Sequence, residues 1–223
     1  MKTIECEQGS YEWFLARLGR PSASRFADIV TATGKAARGV TPRKYALELL
    51  GERLTQEPAQ HFTTSAMERG QALEPAARKW YAFATGRAVK QVGFITDDDG
   101  TCGCSPDGLC EDRGIEIKCP MLPTFLDIAE CGALPDEHMM QVQGGMWITG
   151  LTRWDYVLYT DARGIQPLII EVLPDSAIHA AFTEIIPRFC HWLAEMETKM
   201  RAAGHGYTPE PENLPTWAEL VGG

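Results

Sequence analysis

The spacing of apolar residues separates a helical first third of the chain from a mixed remainder. Apolar positions recur every three to four residues in 11–18, 25–30, the segment that begins at Thr41-Pro42, and 65–84. This period is typical of amphipathic helices. Pro75 interrupts the last segment, so we expect a kink or a restart beside Glu74.

The second part of the chain alternates between the two periods. Alternating apolar and polar positions predict strands at 89–96, 101–104, 114–119, 153–160 and 166–172. Helical spacing returns at 124–131, 137–148 and about 175–202. This order predicts the α/β class, with a central mixed β-sheet flanked by helices on both faces. We expect one domain over 1–223, with a core of about 7–203 and an irregular C-terminal arm at 204–223.

Composition places the chain among ordinary globular proteins. It has 223 residues, of which 44% are hydrophobic and 23% charged. The sequence contains neither an apolar run of the ~20 residues that span a bilayer nor the apolar region of a signal peptide. We therefore expect an intracellular protein that makes no contact with a membrane.

The charge is unevenly distributed. The formal net charge is −9, which argues mildly against a general nucleic-acid binder. Residues 1–50 carry eight Lys/Arg against five acids, however, so this segment is net positive. Basic residues that line a nucleic-acid path would be compatible with an acidic chain. A charged, solvated surface explains the same distribution equally well.

The seven cysteines do not indicate a disulfide scaffold, because their number is odd and the chain is large. Four of them cluster at Cys102, Cys104, Cys110 and Cys119. The cluster has no C-x-x-C pair, which a thiolate metal site would normally use. Small buried thiols are therefore favoured over a zinc or iron–sulfur site.

The candidate chemistry lies in a turn and the strand that follows it. Asp107 belongs to a Ser-Pro-Asp-Gly turn, and Glu116 and Lys118 are two positions apart in Gly-Ile-Glu-Ile-Lys. Side chains alternate across a strand, so Glu116 and Lys118 share one face. Two carboxylates can hold a hard cation, and an adjacent ammonium can position water or offset phosphate charge. Taken singly, Asp107 fits a simple turn, and the Glu/Lys pair fits the wet face of a strand.

Together these residues have the form P-D-x(8)-E-x-K and resemble the PD-(D/E)xK nucleases. Further blocks, in the same order, are similar to the phage lambda exonuclease family over roughly 7–190. These blocks are Glu7-Gln8-Gly9, Arg17-Leu18-Gly19, Ser22-Ala23-Ser24, Gly70-Gln71-Ala72-Leu73-Glu74, Cys104-Ser105-Pro106-Asp107-Gly108-Leu109-Cys110, Glu116-Ile117-Lys118-Cys119-Pro120 and Gln141-Val142-Gln143.

The resemblance implies a restriction-endonuclease-like core and a 5′→3′ exonuclease on double-stranded DNA. It implies two Mg²⁺ ions, for which Mn²⁺ would substitute, and release of 5′-mononucleotides from a 5′-phosphorylated end. The remaining 3′ single strand would serve recombination by strand annealing. A homotrimeric ring, a single-strand annealing recombinase as partner, and a phage or prophage origin in the cytoplasm of a bacterial host are implied as well.

The resemblance also assigns catalytic roles to individual residues. Asp107, Glu116 and the backbone carbonyl of Ile117 would ligate metal, and Glu74 would do so directly or through water. Lys118 would orient the attacking water. Gln141 would hydrogen-bond water or phosphate, although a helix-surface amide is the simpler interpretation of that residue.

A second group of residues would receive the terminal 5′-phosphate. The resemblance assigns Arg17, Ser22 and Ser24 to this role, and a guanidinium with hydroxyls at a helix start suits a phosphate. Helix capping is the alternative for the two serines.

Other polar and aromatic residues are expected to lie outside the site. Gln143 is two positions from Gln141 and so faces elsewhere on its helix. Surface roles are expected for His61, His138 and His191, and core positions for Trp13, Trp80 and Trp147.

Two other functions remain open at this stage. The same residues would serve another PD-(D/E)xK endonuclease or a repair nuclease. A DNA-binding module that has lost catalysis is less favoured, because both acids and the lysine are present.

Overall fold

The computed structural model describes residues 1–59 and 64–208. His61 and residues 209–223, most of the expected C-terminal arm, therefore lie outside the described residues. The helices are α1 (Tyr11–Arg17), a 3₁₀ helix (Ala23–Asp28), α2 (Val40–Thr55), α3 (Ser65–Thr85), α4 (Leu122–Cys131), α5 (Asp136–Thr149) and α6 (Ser176–Ala202). The strands are β1 (Lys2–Ile4), β2 (Phe94–Thr96), β3 (Gly103–Cys104), β4 (Gly108–Leu109), β5 (Gly114–Lys118), β6 (Trp154–Leu158) and β7 (Leu168–Val172).

The strands form two sheets rather than one. The larger is mixed, in the order β4-β5-β6-β7, with β5 and β6 parallel and the other pairs antiparallel. The smaller is antiparallel, in the order β1-β2-β3. The predicted mixed sheet is thus present. The segment predicted at 89–96 forms a strand only over Phe94–Thr96, which belongs to the smaller sheet, while Lys90 makes an isolated bridge with Leu109 of β4.

Helix α3 differs from the prediction at Pro75. It runs without a break from Ser65 to Thr85, capped by the Thr64 hydroxyl at its start and ended by Gly86 in the left-handed conformation. Pro75 is exposed, so its ring meets solvent rather than the packed side of the helix. The proline removes one helical hydrogen bond, to the carbonyl of Gln71, without ending the helix.

Strand β5 is covered on both faces. Ile115 and Ile117 pack against Ala77 and Tyr81 of α3. On the opposite face of the sheet, Trp154, Tyr156 and Leu158 of β6 pack against α4 and α5. Helices therefore cover both faces of the mixed sheet, as the sequence predicted.

Two adjacent glycines bring α5 unusually close to its neighbours. A Cβ atom on Gly144 would lie 2.8 Å from the ring of Phe26 and 2.9 Å from the Cβ atom of Ala23. A Cβ atom on Gly145 would lie 2.7 Å from the ring of Trp154. Because neither position has a side chain, the 3₁₀ helix and β6 can both approach the backbone of α5 closely.

None of the helices within the described ranges combines the length and apolarity needed to cross a bilayer.

A buried hydrogen bond fixes α3 to the sheet and can be tested. The Tyr81 hydroxyl donates to Asp155 Oδ2 at 2.5 Å, and the other oxygen of Asp155 accepts from Arg113 at 2.9 Å. Tyr81→Phe leaves one buried carboxylate oxygen without its donor, so we expect a loss of about 1–3 kcal/mol in the free energy of unfolding. Urea denaturation measures it. Tyr11→Phe, at a residue that is 64% exposed, is the matched control, and equal stability of the two variants would contradict this role.

Candidate active site

The turn before β4 holds Asp107 against β5. The backbone N–H of Asp107 donates to the Ile115 carbonyl at 3.1 Å, which continues the β4–β5 pairing. Its carboxylate Oδ2 accepts from the Ile117 N–H at 2.6 Å. The hairpin thus brings the turn acid beside the strand that carries Glu116 and Lys118, as the sequence predicted.

Glu116, Lys118 and Gln141 form one connected polar group. Glu116 Oε1 lies 2.7 Å from Lys118 Nζ and accepts from Gln141 Nε2 at 2.6 Å. Lys118 Nζ also lies 3.4 Å from Gln141 Oε1. The Glu116 side chain is only 5% exposed, so its charge requires these partners. Burial alone lowers the pKa of Lys118, but the Glu116, Asp107 and Glu74 carboxylates together raise it above its ordinary value.

The backbone carbonyl of Ile117 faces the Asp107 side of β5. The Ile117 N–H donates to Asp107, whereas the Lys118 carbonyl accepts from Tyr159 beyond β6. Because the N–H and C=O of one strand residue point to the same neighbour, the Ile117 carbonyl points away from β6. Strand β4 pairs with β5 only as far as Ile115, so the Ile117 carbonyl lies past the end of the β4–β5 pairing. It is therefore placed where it could ligate a metal ion.

Helix α3 adds a third acid and an arginine. Glu74 lines the same cavity as Asp107, and Arg78, one turn later, donates from Nε to the Asp107 carbonyl at 2.9 Å. The pKa of Glu74 is raised above its ordinary value. Burial is the largest cause, the Arg78 guanidinium acts against it, and the Glu116 carboxylate adds to it. Burial, followed by the neighbouring Glu116 and Glu74 carboxylates, raises the pKa of Asp107 well above its ordinary value. Three acids therefore share a poorly hydrated site.

Arg17 lines the same cavity, which has a volume of about 290 Å³. Its guanidinium lies 4.3 Å over the Trp13 ring and donates to the hydroxyls of Ser105 at 3.3 Å and Ser22 at 3.2 Å. Burial lowers the pKa of Arg17. No carboxylate within the described ranges pairs with this guanidinium. A half-buried cation without an anionic partner is suited to an anion from outside.

The two serines hydrogen-bond one another instead of capping the 3₁₀ helix. Ser22 occupies the capping position but makes no capping hydrogen bond with its side chain. Its hydroxyl lies 3.0 Å from that of Ser24, which is exposed and lines the cavity. The capping alternative is therefore wrong for Ser22, whose hydroxyl is buried and bound to Arg17 and Ser24. The Ser24 hydroxyl is the one exposed to the cavity.

Several residues of the site were not singled out from the sequence. Trp13, expected in the core, lines the cavity and donates from its indole nitrogen to Ser105 at 2.9 Å. Gln8 donates to the carbonyls of Val92 and Pro106 and so fastens the start of the Asp107 turn. Trp13 and Gln8 both lie in or beside the blocks that carried the family resemblance, which is the signal that pointed to them.

Gln143 lies outside the site, as expected. It is 1% exposed, donates to the Leu173 carbonyl at 2.9 Å and accepts from the Asp175 N–H at 2.9 Å. It therefore connects α5 with the start of α6.

Of the three histidines expected at the surface, two lie within the described residues, and they differ. His191 is exposed on α6, as expected. His138 is not a simple surface residue, because its side chain is only 22% exposed and its Nδ1 lies 2.9 Å from the Tyr156 hydroxyl.

The donor set fits a hard cation better than a soft one. Within 1–59 and 64–208, no three or more His, Cys, Asp or Glu side chains form a ready-made cage for a metal ion. Mg²⁺ does not need one, since it is usually held by one or two carboxylates, waters and substrate phosphates. Asp107, Glu116 and the Ile117 carbonyl supply oxygen ligands of that kind, and the shared burial of the acids favours a positive charge.

The cysteines do not form a competing metal site. All seven are free thiols, and Cys102, Cys104 and Cys119 are buried. Burial raises the pKa of all three, for Cys119 to about 12. Buried protonated thiols match the interpretation that the sequence favoured.

Comparisons with known proteins agree on one family. Residues 12–152 match the YqaJ-like viral recombinase domain. The structure is similar to that of an alkaline exonuclease, LHK-Exo, from Laribacter hongkongensis, with a TM-score of 0.77 and 35% identity over 87% of this chain and 98% of that one. The structure of LHK-Exo in complex with dAMP gives the same TM-score and coverage, with 37% identity.

A more distant likeness shows the fold alone. The phage-related exonuclease from Haemophilus somnus 129PT has a TM-score of 0.63 and 17% identity, over 81% of this chain and 96% of that one. No curated protein gives a significant match. The structural likenesses confirm the predicted fold class.

The crowding of acids predicts that Asp107 destabilises the metal-free fold. The folded pKa of Asp107 is raised, so stability is lost as pH rises from the unfolded value of about 4 through the folded one. Asp107→Asn removes this loss and should be more stable than the wild type in EDTA at pH 8, with a gain that shrinks toward pH 4. Urea denaturation at several pH values measures it.

The matched control for this prediction is Asp127→Asn, at an exposed acid on α4. It should show no such pH-dependent gain. A metal-free Asp107→Asn protein less stable than the wild type at pH 8 would contradict the electrostatic explanation.

Proposed function

The chain belongs to the YqaJ-like viral recombinase domain family, as the resemblance to the phage lambda exonuclease family predicted, and we propose that it is a Mg²⁺-dependent 5′→3′ exonuclease on double-stranded DNA. It releases 5′-mononucleotides and leaves a 3′ single strand for recombination by strand annealing.

One observation carries this proposal. A single cavity is lined by Asp107, Glu116 and Lys118 and also by the guanidinium of Arg17, which has no carboxylate partner within the described residues. The first three residues suit hydrolysis of a phosphodiester with a bound cation. Arg17 suits a further phosphate. Two phosphate-binding groups in one cavity fit the first two phosphates of a DNA strand that enters by its 5′ end.

The acids would hold the metal, and two ions are expected from the family. Asp107, Glu116 and the Ile117 carbonyl would hold them, and Glu74 would contribute directly or through water. When bound, Mg²⁺ offsets phosphate charge and favours ionisation of the attacking water. Mn²⁺ has the same preference for oxygen ligands and would substitute.

The chain's own residues then position the reactants. Lys118 orients the attacking water and offsets the charge that develops on the scissile phosphate. Gln141, hydrogen-bonded to both Glu116 and Lys118, fixes the direction of these two side chains. The water oxygen bonds to phosphorus as the bond to the 3′-oxygen of the first nucleotide breaks, and that oxygen takes up a proton.

The products support the direction of digestion. The first nucleotide leaves with its original 5′-phosphate, and the second acquires a new one. Each cycle therefore regenerates a group that Arg17, Ser22 and Ser24 can receive. LHK-Exo has been crystallised with dAMP, a mononucleotide of this kind.

A run of exposed basic residues would give the duplex a path. Lys35, Arg38, Arg43 and Lys44 are exposed, and none forms an ion pair within the described part of the chain. The segment 35–44 contains no acid. Such a run of cations would contact the DNA backbone without reading its sequence.

Family membership also supports an assembly and a partner. We propose a homotrimeric ring through which the DNA passes, and a single-strand annealing recombinase that receives the exposed 3′ strand. Both rest on the resemblance alone, since the geometry of one chain supports only the cavity.

The alternative is another PD-(D/E)xK endonuclease or a repair nuclease. The acids and the lysine would serve either enzyme equally well. Arg17 favours the exonuclease, because a second phosphate site beside the catalytic one suits a strand end. Closed circular duplex distinguishes the two, since an exonuclease leaves it intact and an endonuclease nicks it.

Loss of the catalytic groups should abolish digestion. Glu116→Gln and Lys118→Ala should each lower the Mg²⁺-dependent rate on linear duplex at least about 100-fold, because each removes a charge that acts on the reacting phosphate. Release of mononucleotides from 5′-labelled and 3′-labelled duplex measures the rate and the direction. Glu184→Gln, at an exposed acid on α6, is the matched control. Full activity of Glu116→Gln, or early release of the 3′ label by the wild type, would contradict the proposal.

Arg17 should account for the preference for a 5′-phosphate. We expect the wild type to digest 5′-phosphorylated duplex faster than 5′-hydroxyl duplex, and Arg17→Ala to reduce this ratio about 10–100-fold because a charge-assisted hydrogen bond is lost. Comparing both ends with one variant removes any effect of partial unfolding. Arg188→Ala, exposed on α6, should keep the wild-type ratio. An unchanged ratio in Arg17→Ala would place the terminal phosphate elsewhere.

A further inference from the structure

A second cavity, of about 400 Å³, adjoins the candidate active site. It shares four lining residues with the first cavity, and these are Gln71, Glu74, Ile117 and Lys118. Arg17 lines only the first cavity and His138 only the second. The catalytic groups therefore lie between Arg17 on one side and His138 on the other.

The Tyr156 hydroxyl has one hydrogen-bond partner in the described part of the chain, His138 Nδ1 at 2.9 Å. Burial raises the pKa of Tyr156, so its hydroxyl keeps its proton. A buried hydroxyl proton needs an acceptor, and Nδ1 is the acceptor present, which favours the tautomer with the imidazole proton on Nε2. Burial, and then the nearby Lys118 ammonium, lowers the pKa of His138 to about 4, so the ring is neutral at physiological pH.

The Nε2–H group of His138 is free for a ligand. The carboxylate oxygen of Glu137 lies 3.8 Å from Nε2, which is beyond hydrogen-bond distance, and the Glu137 side chain is 72% exposed. Other groups in the cavity also suit an anion. Lys118 and the exposed Thr124 hydroxyl line it, and α4 begins there without a side-chain cap.

The path of the strand connects the two cavities. With the terminal phosphate at Arg17 and the scissile phosphate at Lys118, the next phosphate of the same strand continues into the second cavity. We propose that His138, held in its Nε2–H tautomer by Tyr156, donates a hydrogen bond to the phosphodiester that follows the scissile one. This subsite rests on the proposed function and deepens it, because it places the strand on the 3′ side of the cut.

A cycle between protein and DNA tests the subsite. The substrate is 5′-phosphorylated duplex in which the phosphate after the scissile one is replaced by a neutral methylphosphonate. In single-turnover release of the first nucleotide, we expect the replacement to slow the wild type about tenfold, which corresponds to the loss of one hydrogen bond to a charged group. His138→Ala should slow release from unmodified DNA by a similar factor. In this variant, the methylphosphonate should slow release by less than about a further twofold.

Further variants separate binding from folding. His138→Gln retains a side-chain N–H donor and should recover most of the lost rate. Tyr156→Phe removes the hydroxyl that favours the Nε2–H tautomer, so the rate of nucleotide release should fall about twofold to fivefold. In EDTA, where no cleavage occurs, the affinity of His138→Ala for unmodified duplex should fall, and the methylphosphonate should not lower it further. His191→Ala, an exposed histidine, should match the wild type in every measurement.

The outcomes distinguish the two proposals. If the wild type releases the 5′ nucleotide but the methylphosphonate slows His138→Ala as much as the wild type, the subsite is overturned and the exonuclease stands. The same holds if the methylphosphonate leaves the wild type unaffected. If the wild type releases no 5′ nucleotide from unmodified duplex, the proposed function is overturned and the subsite with it.

Discussion

The two-sided burial of strand β5 is the constraint on which the candidate site depends. Helices cover both faces of the sheet, so a carboxylate on this strand cannot be solvated by bulk water. Glu116 must therefore be compensated locally, and Lys118 and Gln141 do so within 2.6–2.7 Å of one of its oxygens. These contacts fix the direction of the catalytic side chains. The packing that stabilises the sheet thus also orients the site.

The site carries electrostatic penalties of opposite sign. Burial, followed by crowding from Glu116 and Glu74, raises the pKa of Asp107 well above its ordinary value. Arg17 is half-buried without a carboxylate partner in the described part of the chain, and burial lowers its pKa. A structure selected only for stability would have paired these charges with each other. Keeping them apart leaves the acids to a cation and the arginine to an anion, and both complement a phosphodiester with its metal.

Turn and strand chemistry predicted the local part of this arrangement, whereas the distant residues Glu74, Gln141 and Arg17 were predicted only through the family resemblance. Asp107, Glu116 and Lys118 lie within twelve residues of one another, so turn chemistry and strand alternation were enough to bring them together. Trp13 and Gln8 join the site through contacts with Ser105 and Pro106, more than 90 residues away, which no periodicity reports. The division into two sheets was missed for the same reason.

Two further departures have local physical causes. Pro75 was expected to break or kink α3, but the helix continues through this exposed position with the loss of one hydrogen bond. His138 was assigned to the surface because an isolated histidine carries no signal in a sequence. Its hydrogen-bond partner, Tyr156, lies 18 residues later in the sequence, on β6.

The acidic net charge bears on how such a chain would engage DNA. Charges more than about 8 Å apart are largely screened at physiological ionic strength, so the total of −9 does not determine the field inside the cavity. The charges that line the cavity determine it, and these are Asp107, Glu116 and Glu74 against Lys118 and Arg17. A surface that is acidic elsewhere binds poorly along the length of a duplex, because nonspecific affinity comes from neutralised phosphates. Under the proposed function, the same distribution favours a strand end that can enter the cavity over the middle of a duplex that cannot.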